Sequence, residues 1–438
     1  MKAVSAELIW TGEGFESGRA VTVNDGSIAS VVARDDLPGG IPVEDWGPVA
    51  IVPGTVNAHG HAFQNLLRGY ADDRSFDSWR DDVLYPLSES LDGDGIYAGA
   101  LFAFAEALLA GVTTTVDFFY LNDDANENAE RVIQAARDVG IGLVLARTFY
   151  DEDAPTSAPK RYRENATDAA DRCRDLHARY ADDALIDVHP APHSLHAASP
   201  ATIRVALDLA QELDVPCHLH LAEAAYERDQ IVERFLTTPV RLLEREGLLD
   251  ERLIAIHAVW LDEGELDLLA SNDVGVVHCP GANAFLGDGI AAVPEMLRRG
   301  IRVALGPDGG CANNRQSVFD EMRSASLTAK ACLTDGSAMD AATAFRMGTA
   351  GGADLLRQPV GSLAPGRRAD LVGLDLEDLS LHPLAMLERN IVNSMQATAV
   401  RKVMVAGELV VDDGRPTRFD LEDVRRRVAE ATSAWTRP

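Results

Sequence analysis

The sequence predicts an α/β chain, a (β/α)8 TIM barrel with a small composite β-sandwich formed by both termini. Three observations predict it. Eight short apolar runs between residues 50 and 308 alternate with helix-length amphipathic segments, the pattern of parallel βα units. Nearly every run ends in a polar side chain, where barrels carry their chemistry. Both ends of the chain have another texture, short β-rich runs broken by Gly turns. The expected division is 1–52 and 355–438 for the two parts of the β module and 53–354 for the barrel.

Taken in order, "RAVTVNDGSIASVVA" reads as two strands joined at Asn24-Asp25-Gly26, a strong hairpin signal. The eight runs follow: 50–59, 113–119, 142–147, 185–193, 215–223, 253–259, 274–280 and 302–308. Helices separate them, among them Ile96–Leu109, stopped by Gly111, and Pro200–Leu213, capped by Ser199. A doubly wound open sheet would want a Gly-rich phosphate turn after its first strand, and G-x-G-x-x-G is absent there. Past residue 355, "VGSLAPGRRADLVGLDL" and "AVRKVMVAGELVVDDGRP" return to short strands, and "FDLEDVRRRVAEATSAW" closes as a helix.

Bulk composition narrows the function. With 438 residues and 46% hydrophobic content, the chain can bury a large core unaided. The net charge of −29 disfavours nucleic acid and anionic membrane as partners, because neutralising phosphates needs a basic surface. No apolar run reaches the ~18–20 residues of a membrane helix. The N-terminus lacks a basic start followed by an apolar stretch, so no signal peptide is expected. Five cysteines without a C-x-x-C pair point to reduced thiols in a cytoplasmic protein.

Polar groups at the run ends form the candidate site: His59 and His61, Asp117, Arg147, His193, His220 with Glu223, His257, His278 and Asp308. Singly, each has a plain structural reading, a packed histidine or an Asx turn. Jointly they follow one register, which scattered core histidines would not. Residues i and i+2 of a strand share a face, so His59 and His61 can chelate one ion. His220 and Asp308 complete three nitrogens and one oxygen, a set suited to zinc or to iron(II). Such an ion lowers the pKa of a bound water from 15.7 towards about 7 and makes hydroxide available.

The pieces "PGTVNAHGHAF", "LLRGYADD", "HLHLAE", "AIHAVWLD", "VVHCPGANAFLGDGI", "LGPDGGCANN" and "GSLAPGRRADLV" run in family order along nearly the whole chain. They resemble the amidohydrolase superfamily, in its metal-dependent deaminase and triazine-hydrolase-like branch, which includes cytosine, guanine and nucleoside deaminases. The resemblance implies a metal-dependent barrel with metal ligands His59, His61, His220 and Asp308. It makes Glu223 the proton shuttle and His257 the residue that orients water or substrate, with Asp308 sharing the proton traffic. Binuclear relatives carry a carboxylated lysine on strand 4; "HPAPHSLH" has none, so a single ion is expected. The implied reaction is attack of metal-bound hydroxide on an sp² carbon bearing nitrogen, with loss of ammonia. A homo-oligomer, dimer or larger, is a family expectation. The segments "SFDSWRDDVLYPL" and "FYDEDAPTSAPKRYRE" read as long loops after strands 1 and 3.

The substrate is less constrained. "NAHGHAFQ", "APHSLH" and "FLGDGI" are similar to formimidoylglutamate deiminase, in which Gln64 and His193 would touch substrate; the carboxylate-binding arginine expected near the end of that strand-4 motif is His196 here. Against the nucleoside branch, Ser88 stands about where a ribose-binding glutamate is expected, and Pro307 and Ala312 replace Thr and Ser. The reading is therefore a small heterocyclic amine or amidine, with Gln64, Trp79, Tyr120, Arg147, His193 and His196 lining the pocket. Alternatives are a formimidoylglutamate-type iminohydrolase, a triazine chlorohydrolase, or a non-enzymatic scaffold relative. Loss of metal ligands would mark the last, and all four are present.

Overall fold

The computed structural model describes residues 1–122, 125–154 and 156–436. Its centre holds eight parallel strands in two four-stranded sheets. The first contains β1 (Thr55–Asn57), β2 (Val112–Phe119), β3 (Gly142–Phe149) and β4 (Ile186–Pro192), in spatial order. The second contains β5 (Cys217–Leu221), β6 (Leu253–His257), β7 (Gly275–His278) and β8 (Val303–Leu305), again in order. Nearly every residue of these strands is buried. Burial on both faces explains why runs such as "LIAIH" are continuously apolar rather than alternating.

Backbone hydrogen bonds link the two sheets at both seams. The His220 amide donates to the His193 carbonyl at 3.1 Å, between β5 and the end of β4. The Ala58 amide donates to the Leu305 carbonyl at 2.9 Å, and the Asp308 amide to the His59 carbonyl at 3.1 Å, beyond β1 and β8. Gly306 is required here, because a Cβ would lie 2.8 Å from the backbone N and O of His59.

The first apolar run, 50–59, divides in two. Val49–Pro53 turns away into a terminal sheet, and Thr55–Asn57 alone becomes β1. Gly54 is the turning point; a Cβ there would sit 2.1 Å from Thr113 Oγ1. The following helix runs Gly93–Leu109, three residues longer than the periodicity indicated, because the Asp92 side chain accepts from the Gly95 amide at 2.8 Å. Gly99 in that helix lets it press on the 62–67 turn, where a Cβ would meet Phe63 Cα at 2.8 Å. Ser199 caps Pro200–Leu213 as the sequence indicates. The segment "SFDSWRDDVLYPL", expected as a loop, is helical: Phe76–Ser78, a π-type turn over Trp79–Leu84, then Tyr85–Glu89. In the corresponding segment after β3, Pro155 lies outside the described residues.

Both ends of the chain meet in one sheet. Its seven strands, from one edge, are Arg415–Pro416, Glu408–Asp412, Val400–Val405, Leu371–Asp375, Val49–Pro53, Leu8–Trp10 and Phe15–Glu16. The join is the antiparallel pairing of Leu371–Asp375 with Val49–Pro53. A second sheet of four strands holds Lys2–Ser5, the Arg19–Asn24 and Ser27–Ala33 hairpin, and Val43–Asp45. A small apolar core shared by both sheets includes Val4, Val21, Ile28, Ile51, Leu371 and Met404. The module is tied to β2 by Arg368, which grips Asp370 through two hydrogen bonds (3.0 and 2.7 Å) and donates to Thr114 Oγ1 at 2.6 Å. Among the described residues, no helix is long and apolar enough to cross a membrane.

Candidate active site

The site lies beyond the C-terminal ends of the eight strands. His59 and His61 come just after β1 rather than within it, yet the chain there stays extended enough to aim both rings inward, centroids 4.8 Å apart. His220 ends β5, with its ring 4.9 Å from His59 and 5.4 Å from His61. Asp308 follows β8, its Oδ1 3.4 Å from His59 Nε2 and 3.5 Å from His61 Nε2. The backbone is left-handed at Ala222, His257, Ala258 and Asp308 (φ +52°, +71°, +50° and +67°), so the ends of β5, β6 and β8 hold unfavourable conformations in common at the site.

Hydrogen bonds to oxygen set which nitrogen faces the centre. His61 Nδ1 donates to the Phe118 carbonyl at 2.7 Å, and His220 Nδ1 to the His193 carbonyl at 2.9 Å. Each ring therefore turns an Nε2 lone pair inward, as a metal ligand must. His59 is fully buried, and neither ring nitrogen has a protein partner among the described residues. Two unpaired buried nitrogens are costly unless something else binds there. The ligand atoms of His59, His61 and His220 lie within 4.8 Å of one another, and so do those of His59, His257 and Asp308. The residues fit a divalent cation in chemistry, orientation and spacing.

Glu223 and His257 adjoin this cluster. Glu223 Oε1 is 3.5 Å from His257 Nε2, and Asp308 Oδ2 is 4.0 Å from the same nitrogen. His257 Nδ1 donates to Asn283 Oδ1 at 2.9 Å, leaving Nε2 as the lone-pair side. Burial, then the charges of Asp308 and Glu227, push the Glu223 carboxyl well above its usual range. Burial pushes Glu227 to about 7 and Asp288 to about 8. A carboxyl that holds its proton near neutrality is suited to pass one on.

Of the expected pocket residues, Gln64, Trp79, Tyr120, His193 and His196 line one cavity of about 50 Å³ together with Glu223, His257 and Asp308. Gln64 Nε2 donates to Tyr120 Oη at 2.7 Å. Arg147 is not there. Its buried guanidinium forks onto Glu164 at 2.5 and 3.2 Å and donates to Asn126 at 2.9 Å, so it is spent on an internal ion pair. Asp117 also turns aside, accepting from the Ala62 amide at 2.8 Å and fixing the turn after His61. His278 is buried but does not line the cavity. Sequence reasoning missed Glu227, Asn283, Arg80, and the rings of Phe76, Tyr150, Tyr162 and Tyr226. Glu227 had one available signal, its position one helical turn after Glu223; its Oε2 accepts from the Glu223 amide at 3.0 Å. A larger groove of about 760 Å³, beside Trp10 and Phe345, contains none of these groups.

Two expected results follow here. Arg147→Met leaves the buried Glu164 carboxylate to Arg172 alone, at 2.6 Å, with its other oxygen unpaired, and costs about 1–3 kcal/mol while KM stays at the wild-type value; urea unfolding and steady-state rates together check it. The second concerns pH. Burial holds His59, His61, His193 and His218 well below the usual imidazole value, His220 at about 4, and His196 and His278 at about 3. These rings bind protons more readily unfolded than folded, so stability rises with pH through this window. The carboxyls of Asp117, Glu223, Glu227, Asp288 and Glu321, which burial holds above their usual range, pull the other way, but the seven rings outnumber them, so the metal-free protein should lose melting temperature as pH falls from about 6.5 towards 4. A flat profile over that window would show the rings to be solvated.

A cluster of imidazoles and a carboxylate able to hold a metal, with an adjoining acid, set at the C-terminal ends of parallel strands, defines a metal-dependent hydrolase. The chain belongs to the amidohydrolase family, whose model matches residues 50–410. It is 36% identical over 416 residues to the 5-methylthioadenosine/S-adenosylhomocysteine deaminase of Nitratidesulfovibrio vulgaris, covering 94% of this chain and 91% of that one. The enzyme of that name from Haloarcula marismortui is 34% identical over 403 residues, covering 91% and 90%. A crystal structure of an adenosine deaminase from Xanthomonas campestris with bound zinc superimposes at TM-score 0.90 with 29% identity, covering 98% of this chain and 97% of that one. The atrazine chlorohydrolase of Arthrobacter aurescens TC1 shares the fold at TM-score 0.91 and 22% identity, covering 98% and 100%. The protein is a metal-dependent deaminase acting on non-peptide carbon–nitrogen bonds.

Proposed function

We propose that the protein deaminates a small heterocyclic amine or amidine with one divalent ion, zinc, held by His59, His61, His220 and Asp308. The observation that carries the substrate class is the cavity itself. Its walls are largely aromatic, Phe76, Trp79, Tyr120, Tyr150, Tyr162 and Tyr226, with Gln64, His193 and His196 as a polar edge, a lining suited to a flat nitrogen-bearing ring. Ser88, standing where a ribose-binding glutamate is expected, is buried with its hydroxyl 2.5 Å from Tyr162 Oη.

A divalent ion in this site supplies Lewis acidity and lowers the pKa of a water it binds. The residues divide the remaining work. Asp308, between His59 and His257, takes the proton released as water attacks the amino-bearing carbon. Glu223 delivers its proton to the ring or imine nitrogen; the proton held by Asp308 passes to the amino nitrogen, which leaves as ammonia, and the second proton of the attacking water, released as the carbonyl forms, restores Glu223. His257, fixed by Asn283, presents an unprotonated Nε2 that aligns the attacking oxygen. Gln64 and Tyr120 fix the substrate edge. The missing lysine on β4 supports one ion rather than two.

We read the two parallel sheets as one closed (β/α)8 barrel over 53–354. The terminal sheets then form a β-sandwich from 1–52 and 355–438, supported by the seam hydrogen bonds and the shared small core. Five unpaired cysteines support a cytoplasmic setting.

The test is ammonia release from a panel: aminated pyrimidines, purine bases, small amidines, formimidoylglutamate, adenosine and 5-methylthioadenosine. A base or amidine should exceed 5-methylthioadenosine in kcat/KM by at least about tenfold, the discrimination one good contact gives. 5-Methylthioadenosine as the best substrate would overturn the small-substrate reading.

A further inference from the structure

Three side chains on the turn after β4 are joined through one hydroxyl. Ser194 is fully buried, and its Oγ lies 3.0 Å from His193 Nδ1 and 3.0 Å from His196 Nδ1. The turn is held by the Ala197 and Ala198 amides, which donate to the Ser194 carbonyl at 3.0 and 2.8 Å. Both imidazoles line the active cavity, ring centroids 5.6 Å apart. The Nε2 atoms of His193 and His196 have no protein partner among the described residues.

We propose that Ser194 forces His193 and His196 into opposite neutral tautomers, so that the pocket presents one N–H donor and one nitrogen lone pair to the substrate. A hydroxyl has a single proton to give and lone pairs to accept with. It cannot donate to both rings. If it accepted from both, its own proton would be buried without an acceptor, since no other group among the described residues bonds Ser194 Oγ. The arrangement that satisfies every atom is donation to one Nδ1 and acceptance from the other Nδ1–H. The first ring then carries its proton on Nε2 and the second leaves Nε2 bare. Among the described residues no carboxylate lies within ion-pair distance of either ring to hold a second proton on it.

The ligand class follows from the pattern. A substrate must place an acceptor against one ring and a donor against the other, as the –N=C–NH– edge of an amidine, an aminated ring or a lactam does. A carboxylate, which only accepts, meets the lone pair of one ring and is disfavoured. Reversing the order needs the Ser194 hydroxyl to turn and each ring to exchange its proton between Nδ1 and Nε2 through water or substrate. This deepens the small-heterocycle reading and rests on it for the identity of the ligand, though not for the tautomers.

The test uses the metal-loaded full chain labelled with ¹⁵N in histidine, read by two-bond ¹H–¹⁵N correlation at neutral pH. His193 and His196 should appear as opposite neutral tautomers. Ser194→Ala should change the tautomer of at least one ring while metal content and circular dichroism stay unchanged. Its KM for the best panel substrate should rise about tenfold with kcat within about twofold, the loss of one hydrogen bond in binding. Identical tautomers in the wild type, a doubly protonated ring, or an unaltered pattern in Ser194→Ala would overturn the proposal. If Ser194→Ala does not fold, the wild-type spectrum decides alone. An inactive panel contradicts the substrate reading and leaves the tautomer result standing, so the two failures are separable.

Discussion

Replacing Glu223 with Gln is expected to leave bound metal at the wild-type level and to lower kcat by about 10²–10⁴-fold, with KM little changed. The side chain stands beside the imidazole cluster without joining it, 3.5 Å from His257 Nε2. Gln preserves size and polarity but carries no transferable proton. The loss therefore reports proton delivery alone, because the ion-binding groups are untouched. Burial and two neighbouring carboxylates hold the Glu223 proton in place, and that is the property the substitution removes. Parallel metal analysis and steady-state rates check it. Turnover within tenfold of wild type would remove Glu223 from the chemistry and shift the acid role towards Asp288 or Glu227.

His59→Ala should have the second large effect. His59 touches every other member of the cluster, with His61, His220 and His257 rings at 4.8, 4.9 and 5.7 Å and Asp308 Oδ1 at 3.4 Å. Among the described residues no protein atom hydrogen-bonds its ring nitrogens. Loss of an outer partner of a metal ligand typically costs 10–100-fold in affinity, so loss of a ligand itself should exceed about 100-fold. Deamination should fall below detection at ordinary metal concentrations. Titration with a competing chelator measures the affinity; an unchanged dissociation constant would place the ion elsewhere.

The parts of this site that were legible in the sequence share a cause. His59, His61, His220, Glu223, His257 and Asp308 stand at ends of apolar runs, and a parallel α/β arrangement brings strand ends together. Periodicity alone therefore implied their convergence. Arg147 obeys the same register and still points elsewhere, because its fate is decided by Glu164, a loop residue 17 positions on that no strand rule concerns. Asn283 bonds one ring and Ser194 two, and such side-chain hydrogen bonds leave no pattern in one sequence. Arg80 and the Phe76 ring reach the cavity because 76–89 is helical, and a Pro and several charges disguised that segment as a loop. The division of the 50–59 run was hidden for a related reason: a strand leaving one sheet and a strand entering another are both apolar, and only the crowding around Gly54 separates them.

The central claim is that one divalent cation sits among three imidazoles and an aspartate from opposite sides of the strand array. Anomalous diffraction at the zinc edge from crystals of the purified protein tests it most directly. The account predicts one peak, bounded by Nε2 of His59, His61 and His220 and by the Asp308 carboxylate. A peak elsewhere, a second peak of equal height beside the first, or side chains at those four positions turned apart would contradict it.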